Sequence, residues 1–147
     1  ALEKAYMQCL GSKVPMSIAM ADIDHFKQVN DTWGHSSGDA VLKALSRSLI
    51  ATLRANDSVI RWGGEEFLLI FSGCDLEQAL PLAERCRAGV QRLTHERVGQ
   101  VTLSMGVGEL RAGETLAHLI ERVDQALYSA KHAGRNRVQV STAPQGG

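Results

Sequence analysis

Two runs that read as β-strands, SVIRW (58–62) and EEFLLIF (65–71), are separated by Gly63-Gly64. A glycine pair between strand-like runs signals a tight hairpin, because the primed turns that match strand twist need positive φ. This hairpin carries an oddity. Glu65 and Glu66 set two like charges side by side at the turn. A plain hairpin has no use for that repulsion, so the pair asks what else in the chain comes near.

Local signals lay out the rest. ALEKAYMQCL (1–10) reads as a short amphipathic helix broken at Gly11, and PMSIAMADID (15–24) as an apolar strand ending in acids. HFKQVNDTWG (25–34) is a short helix or turn that stops at Gly34. In 35–54, Val41, Leu42, Leu45, Leu49 and Leu53 keep helical spacing, and Ser and Asp in the first turn can cap free N–H groups. Residues 75–93 open with Asp75 and Gln78, a capping-box pair, and Pro81 marks either a kink or the true first turn. QVTLSMGVGEL (100–110) is a strand. In 115–134, Leu116, Leu119, Ile120, Val123, Ala126, Leu127 and Ala130 form one apolar stripe that Gly134 can end. RVQV (137–140) closes as a strand, and a disordered tail is expected over 142–147. The order β-α-α-β-β-α-β-α-β after an initial helix predicts an α+β fold, with helices on one mixed sheet.

At 147 residues the chain fits one domain with a real core. Sixteen basic residues balance sixteen acidic ones, which argues against a bulk nucleic-acid binder, and 5% aromatic content argues against an RNA-stacking sheet. Phe67, Trp33 and Trp62 therefore read as core or rim packing. Cys9, Cys74 and Cys86 are odd in number and lack metal-ligand spacing, so they read as buried free thiols of a reducing cytoplasm. No apolar run is long enough to span a membrane. The first residue is Ala and no signal peptide is visible, so the chain reads as a piece of something longer.

Asp22 and Asp24 stand two apart at the end of the first strand, a spacing that puts them on one face. If the hairpin lies beside that strand, Asp22 approaches Glu65. Carboxylates gathered at a strand end need a counter-charge, and a hard divalent cation, Mg²⁺ first, supplies it through oxygen ligands. Mg²⁺ usually also holds substrate phosphates, which points to phosphoryl or nucleotidyl transfer. The competing reading is a solvated acidic turn with Asp24 as a helix cap.

Four blocks, DIDHFKQVNDTWGHSSGD (22–39), RANDSVIRWGGEEF (54–67), LSMGV (103–107) and DQALYSAKHAGRNRV (124–138), resemble the GGDEF family of diguanylate cyclases in order and spacing. GGEEF is an accepted variant of that family's signature. The resemblance implies a palm-type, adenylyl-cyclase-like or ferredoxin-like sheet. It implies condensation of two GTP into cyclic di-GMP and two pyrophosphates at a homodimer interface, each subunit holding one GTP in a half-site. It implies two Mg²⁺ per half-site, with Mn²⁺ as an alternative, held by Asp22, Glu65 and the carbonyl of Ile23. Glu66 matches the residue that deprotonates or orients the 3′-hydroxyl. Asn30 and Asp39 match the guanine-reading pair. Phe26, Lys27, His35, Gly63, Gly64, Lys131 and Arg135 match further substrate-binding positions; His25 and His35 otherwise read as structural. Arg54 and Asp57 match an inhibitory RxxD site for the product. Out of context they would read as a surface ion pair.

The resemblance assigns 1–141 to one catalytic domain that lacks the family's N-terminal Asp-x-Leu-Thr-x-Leu-x-Asn-Arg segment, whose Asp faces the residue matched by Arg61. It further implies an upstream sensor or dimerisation module, cytoplasmic placement of the catalytic domain and a parent that could be membrane-tethered. A catalytically silent receptor for cyclic di-GMP is the alternative. Intact Asp22, Gly63, Gly64, Glu65 and Glu66 favour the enzyme over that receptor, and a purely structural domain leaves the acids unexplained.

Overall fold

The computed structural model describes residues 2–141, so the tail expected over 142–147 lies outside the described residues. Helix α1 (Leu2–Ser12) precedes strand β1 (Met16–Ile23), and α2 (Phe26–Trp33) and α3 (His35–Thr52) follow. Strands β2 (Ser58–Arg61) and β3 (Glu66–Ser72) form the hairpin, and α4 (Leu76–Gln91), β4 (Leu103–Glu109), α5 (Leu116–His132) and β5 (Arg137–Val140) complete the chain. The sheet order is β2-β3-β1-β4-β5; only β4 and β5 run parallel. The first four strands with α3 and α4 make a ferredoxin-like βαββαβ unit, and α5 adds β5 at the edge beside β4.

β1 is buried along its whole length, as a central strand must be, and its alternation serves two cores. Ala19, Ala21 and Ile23 join Phe67, Leu69 and Phe71 of β3 and Met105 and Val107 of β4 beneath α2, α3 and α4. Met16, Ile18 and Met20 join Leu68 and Ile70 beneath α1 and α5. Helices thus cover both faces. Gly106 of β4 sets how closely α5 lies on the sheet: a Cβ there would stand 2.3 Å from the Val123 carbonyl and 2.5 Å from the Leu127 nitrogen.

Several local expectations are met by the bonds they require. Asp75 and Gln78 form a reciprocal capping box, with Gln78 N donating to Asp75 Oδ1 at 2.8 Å and Asp75 N to Gln78 Oε1 at 3.1 Å. Others are corrected. α3 begins at His35 with no side-chain cap; Gly34, at φ +90°, ends α2 and starts α3, and Asp39 falls beyond the first turn. Pro81 lies inside α4 on its exposed face, where water can take the carbonyl freed by the missing donor. α1 runs through Gly11. Phe67 is core, whereas Trp33 and Trp62 are exposed. Cys74 and Cys86 are buried free thiols, but Cys9 is only partly covered.

The hairpin carries the largest correction. Its turn spans 62–65, closed by Trp62 N and Gly63 N donating to the Glu66 carbonyl at 2.8 and 3.3 Å. Neither Gly63 nor Gly64 has positive φ, so the turn is not the primed type. A Cβ on Gly63 would make ordinary contact with Glu66 and one on Gly64 would meet nothing within 4 Å. The chain's own sterics do not demand these two glycines.

Candidate active site

The antiparallel register of β1 and β3 sets Asp22 opposite Glu66, and Ile23 N donates to the Glu65 carbonyl at 3.2 Å. The turn is thereby tied to the end of β1, and three carboxylates gather at one end of the β1–β3 ladder. Asp22 is buried, and Glu65 and Glu66 are half-buried. Burial pushes all three carboxyls above their ordinary range, and the charge of Asp22 raises both glutamates further. Lys131 at the end of α5 opposes this, its Nζ donating to Asp22 Oδ2 at 2.6 Å. One lysine shared among three carboxylates leaves the cluster under-neutralised.

Asp24 belongs to a different system, and it is neither helix cap nor spare ligand. His25 occupies the N-cap position of α2, at φ +58°. The buried Asp24 carboxylate accepts from Thr102 Oγ1 and Ser104 Oγ, each at 2.6 Å, and from Asn136 N at 3.0 Å. Three donors thus hold it, one on Oδ1 and two on Oδ2. Sequence reasoning missed Asp124, whose charge reaches Glu66 from α5. Its position seven residues before Lys131, on the same helix face, is the signal that could have found it.

Among the described residues no three His, Cys, Asp or Glu side chains form a ready metal cage. The donor set nevertheless fits a hard cation that keeps waters and substrate oxygens: Asp22 and Glu65 offer carboxylates where positive charge is short.

Asn30 lies midway along α2 with its amide directly against Gly38, the residue before Asp39; a Cβ on Gly38 would stand 1.9 Å from Asn30 Oδ1. The packing of α2 on α3 thus sets Asn30 against the residue that precedes exposed Asp39. The Phe26 ring is buried in the core, which leaves only its backbone for a ligand. Lys27 and His35 are exposed at the starts of α2 and α3. Arg135 sits in the turn after α5, its charge felt at Asp22. Arg61 folds over its own turn, donating to the Gly64 carbonyl at 2.7 Å.

Arg54 and Asp57 stand apart from all this. They lie between α3 and β2, beside the Ser72 end of β3, whereas the acids sit at its Glu66 end. Six strand residues separate those ends by roughly 20 Å. The pair is closed on itself: Arg54 Nε and Nη2 donate to Asp57 at 2.9 and 2.8 Å, and Nη2 also reaches the Ser72 carbonyl at 3.1 Å and Cys74 Sγ at 2.8 Å. The Asp57 side chain is fully covered while Arg54 stays half-exposed. A cavity of about 840 Å³ under α1 is lined by the intervening Ala55 and Asn56. None of the three acids lines this cavity.

A profile of the diguanylate cyclase GGDEF domain matches residues 1–137. The chain belongs to the GGDEF family. This GGDEF domain is 44% identical over 136 residues to diguanylate cyclase DgcM of Escherichia coli, covering 92% of the chain and 33% of DgcM. It is 39% identical over 143 residues to the probable diguanylate cyclase DgcC of the same species, covering 95% of the chain and 38% of DgcC. The chain therefore spans about a third of the length of these curated relatives. Among solved structures, the active GGEEF domain of a diguanylate cyclase from Vibrio cholerae superposes with a TM-score of 0.91 at 34% identity, covering 96% of this chain and 92% of that one. The GGDEF domain of DgcB from Caulobacter crescentus, solved in complex with c-di-GMP, gives 0.91 at 33% identity, covering 97% and 86%. The GGDEF fold is thus a mixed sheet flanked by helices in this chain as in those neighbours.

Proposed function

We propose that this GGDEF domain, read over 1–141, is one half-site of a diguanylate cyclase that condenses two GTP into cyclic di-GMP and two pyrophosphates. The observation that carries the reading is the under-neutralised trio Asp22, Glu65 and Glu66 at the GGEEF turn, with Lys131 as their only bonded cation among the described residues. Asp22, Glu65 and the Ile23 carbonyl would hold Mg²⁺ or Mn²⁺, two ions per half-site. When bound, these ions would neutralise the triphosphate as the α-phosphorus is attacked.

The chain's own groups do the rest. Glu66 accepts or orients the proton of the 3′-hydroxyl. The 3′-oxygen then bonds to the α-phosphorus of the opposing GTP, and the bond to its β-phosphate oxygen breaks. The raised pKa of Glu66 suits a proton acceptor better than an ordinary surface carboxylate would. Asn30 offers a donor and an acceptor to guanine, and Asp39 accepts from its N1–H and amino group. Gly63 and Gly64, which the fold itself does not require, leave room for the nucleotide. Lys27, Lys131 and Arg135 take phosphate charge, with the Phe26 backbone and His35 alongside. Because each hydroxyl attacks the other subunit's nucleotide, catalysis needs a homodimer, with an upstream sensor or dimerisation module to bring the half-sites together. No described helix is long and apolar enough to cross a membrane; a cytoplasmic site remains part of this proposal.

Arg54 and Asp57 are assigned to product binding. The closed ion pair means that Asp57 must first be uncovered, with Arg54 turning its guanidinium to phosphate or guanine. Arg54→Ala should weaken inhibition by added cyclic di-GMP and spare the initial rate; unchanged inhibition would defeat the assignment. The central test is mass-spectrometric detection of cyclic di-GMP from GTP and Mg²⁺, with Glu65→Ala as the comparison. Product lost in that variant, with circular dichroism unchanged, supports the enzyme. A dimeric protein that binds cyclic di-GMP but turns over no GTP would overturn it in favour of a receptor.

A further inference from the structure

The turn that follows α5 is built against its own backbone preference. Gly134, Arg135 and Asn136 take φ of +125°, +61° and +47° in succession. The first is an ordinary helix ending: Arg135 N donates to the Ala130 carbonyl at 3.0 Å, and Gly134 N reaches the Lys131 carbonyl at 3.5 Å. A chain leaving such an ending normally extends at once. Here two further left-handed residues follow, one an arginine, for which the left-handed region is unfavourable. A conformation of that kind persists only where its surroundings hold it.

The holding groups come from distant parts of the chain. Asn136 N donates to Asp24 Oδ2 at 3.0 Å, and Asp24 is itself fixed by Thr102 and Ser104 of the β4 region. The Asn136 side chain is held from the other side, its Oδ1 accepting from Arg87 Nη1 of α4 at 2.7 Å. Arg87 is braced in turn by Glu84 and by Gln91 Oε1. Arg135 immediately precedes the residue so clamped, and one turn earlier Lys131 reaches Asp22. The strained turn therefore delivers cations to the edge of the acid cluster.

We propose that Asp24, Asn136 and Arg87 are positioning residues, which hold this left-handed turn so that Arg135 meets the polyphosphate of a nucleoside triphosphate seated beside Asp22. The proposal rests on the phosphate role given to Arg135 above, and not on turnover. It also separates the two aspartates of the DID run by function: Asp22 faces the ligand, and Asp24 faces the turn.

The test is calorimetric binding of the α,β-methylene analogue of GTP, with Mg²⁺, to the protein and its variants. Arg135→Ala should weaken binding about tenfold, the loss of one charge-assisted contact. Asn136→Ala and Arg87→Ala should each approach that loss, yet add little in the Arg135→Ala background, because they act through the same side chain. Asp24→Asn, whose amide oxygen can still accept from Asn136 N, should retain most of the affinity that Asp24→Ala loses. A thermal midpoint on each variant separates this from general unfolding. Full additivity with Arg135→Ala, or Asn136→Ala and Arg87→Ala variants that fold and bind like wild type, would overturn the proposal. So would an Arg135→Ala variant with unchanged affinity. If the pattern holds while no cyclic di-GMP is made, the positioning role stands and the catalytic reading falls.

Discussion

Gly38→Ala should separate stability from guanine recognition. A Cβ at this buried position would stand 1.9 Å from Asn30 Oδ1, 3.0 Å from Asn30 Cγ and 3.3 Å from Phe26 Cζ. A carbon and an oxygen ordinarily approach to roughly 3.3 Å, so the first contact is far inside any tolerable distance. The group in the way is the end of a two-torsion side chain and not backbone, so Asn30 will swing out. Against its rotamer cost of about 0.5–1.5 kcal/mol stands the roughly 1 kcal/mol that alanine gains over glycine inside a helix. The two nearly cancel, and the thermal midpoint should move by no more than a few degrees. Recognition has no such offset. Displacing the amide would remove the two hydrogen bonds proposed for it with guanine, about 0.5–1.5 kcal/mol each, for a combined loss of roughly five- to a hundredfold in GTP affinity. Binding of GTP and ATP analogues should be measured side by side with the melting curve. The expected result is a fall in GTP affinity, a smaller fall for ATP, and no effect of the substitution in an Asn30→Ala background. Wild-type GTP affinity with the preference over ATP intact would refute the reasoning, and with it the guanine role of Asn30.

Gly106→Ala meets backbone rather than side chain, at 2.3 and 2.5 Å from α5, so α5 must lift off β4; a loss of about 3 kcal/mol is expected, read as a lower urea midpoint. Glu114 is buried against Arg122, whose Nε and Nη2 donate to it at 2.6 and 2.8 Å; burial alone would raise its pKa, but these bonds, with those from Arg111 N and His118, bring it down to about 2. Its folded value lies below the unfolded one, so its contribution of about 3 kcal/mol is present above pH 4.5 and lost as pH falls toward 2, and Glu114→Gln should flatten that part of the stability–pH curve. The acid cluster has the opposite sign: Asp22, Glu65 and Glu66 are raised on folding, so their contribution to stability falls as pH rises through those values. At neutral pH Glu65→Gln should therefore leave the metal-free melting point unchanged or slightly higher, while abolishing turnover and the stabilisation by Mg²⁺ with a GTP analogue. A marked drop in that melting point would show that Glu65 serves the fold instead.

What was legible in the sequence was local. The apolar stripe of α5, the Asp75–Gln78 box and the stop at Gly34 each depend on residues within a few positions, so spacing alone located them. Gly63 and Gly64 show where that ends. The composition of a turn names its glycines but not whether they supply positive φ or empty space, and here φ is ordinary and the space is what remains. Arg54 and Asp57 were visible as a neighbouring pair, but not the burial of Asp57 beneath the arginine. Asp24 is the sharper case. Period two places it beside Asp22, and nothing within ten residues tells the two apart. What separates them lies 78 to 112 residues away, in Thr102, Ser104 and Asn136. Those three donors satisfy Asp24, whereas among the described residues Lys131 is the one cation bonded to the cluster of Asp22 and the two glutamates. A carboxylate that the fold has satisfied is part of the scaffold, and one left half-buried and short of positive charge has its partner still to come. That difference resides in long-range hydrogen bonding, which is why the sequence can name the acids but only the fold can sort them.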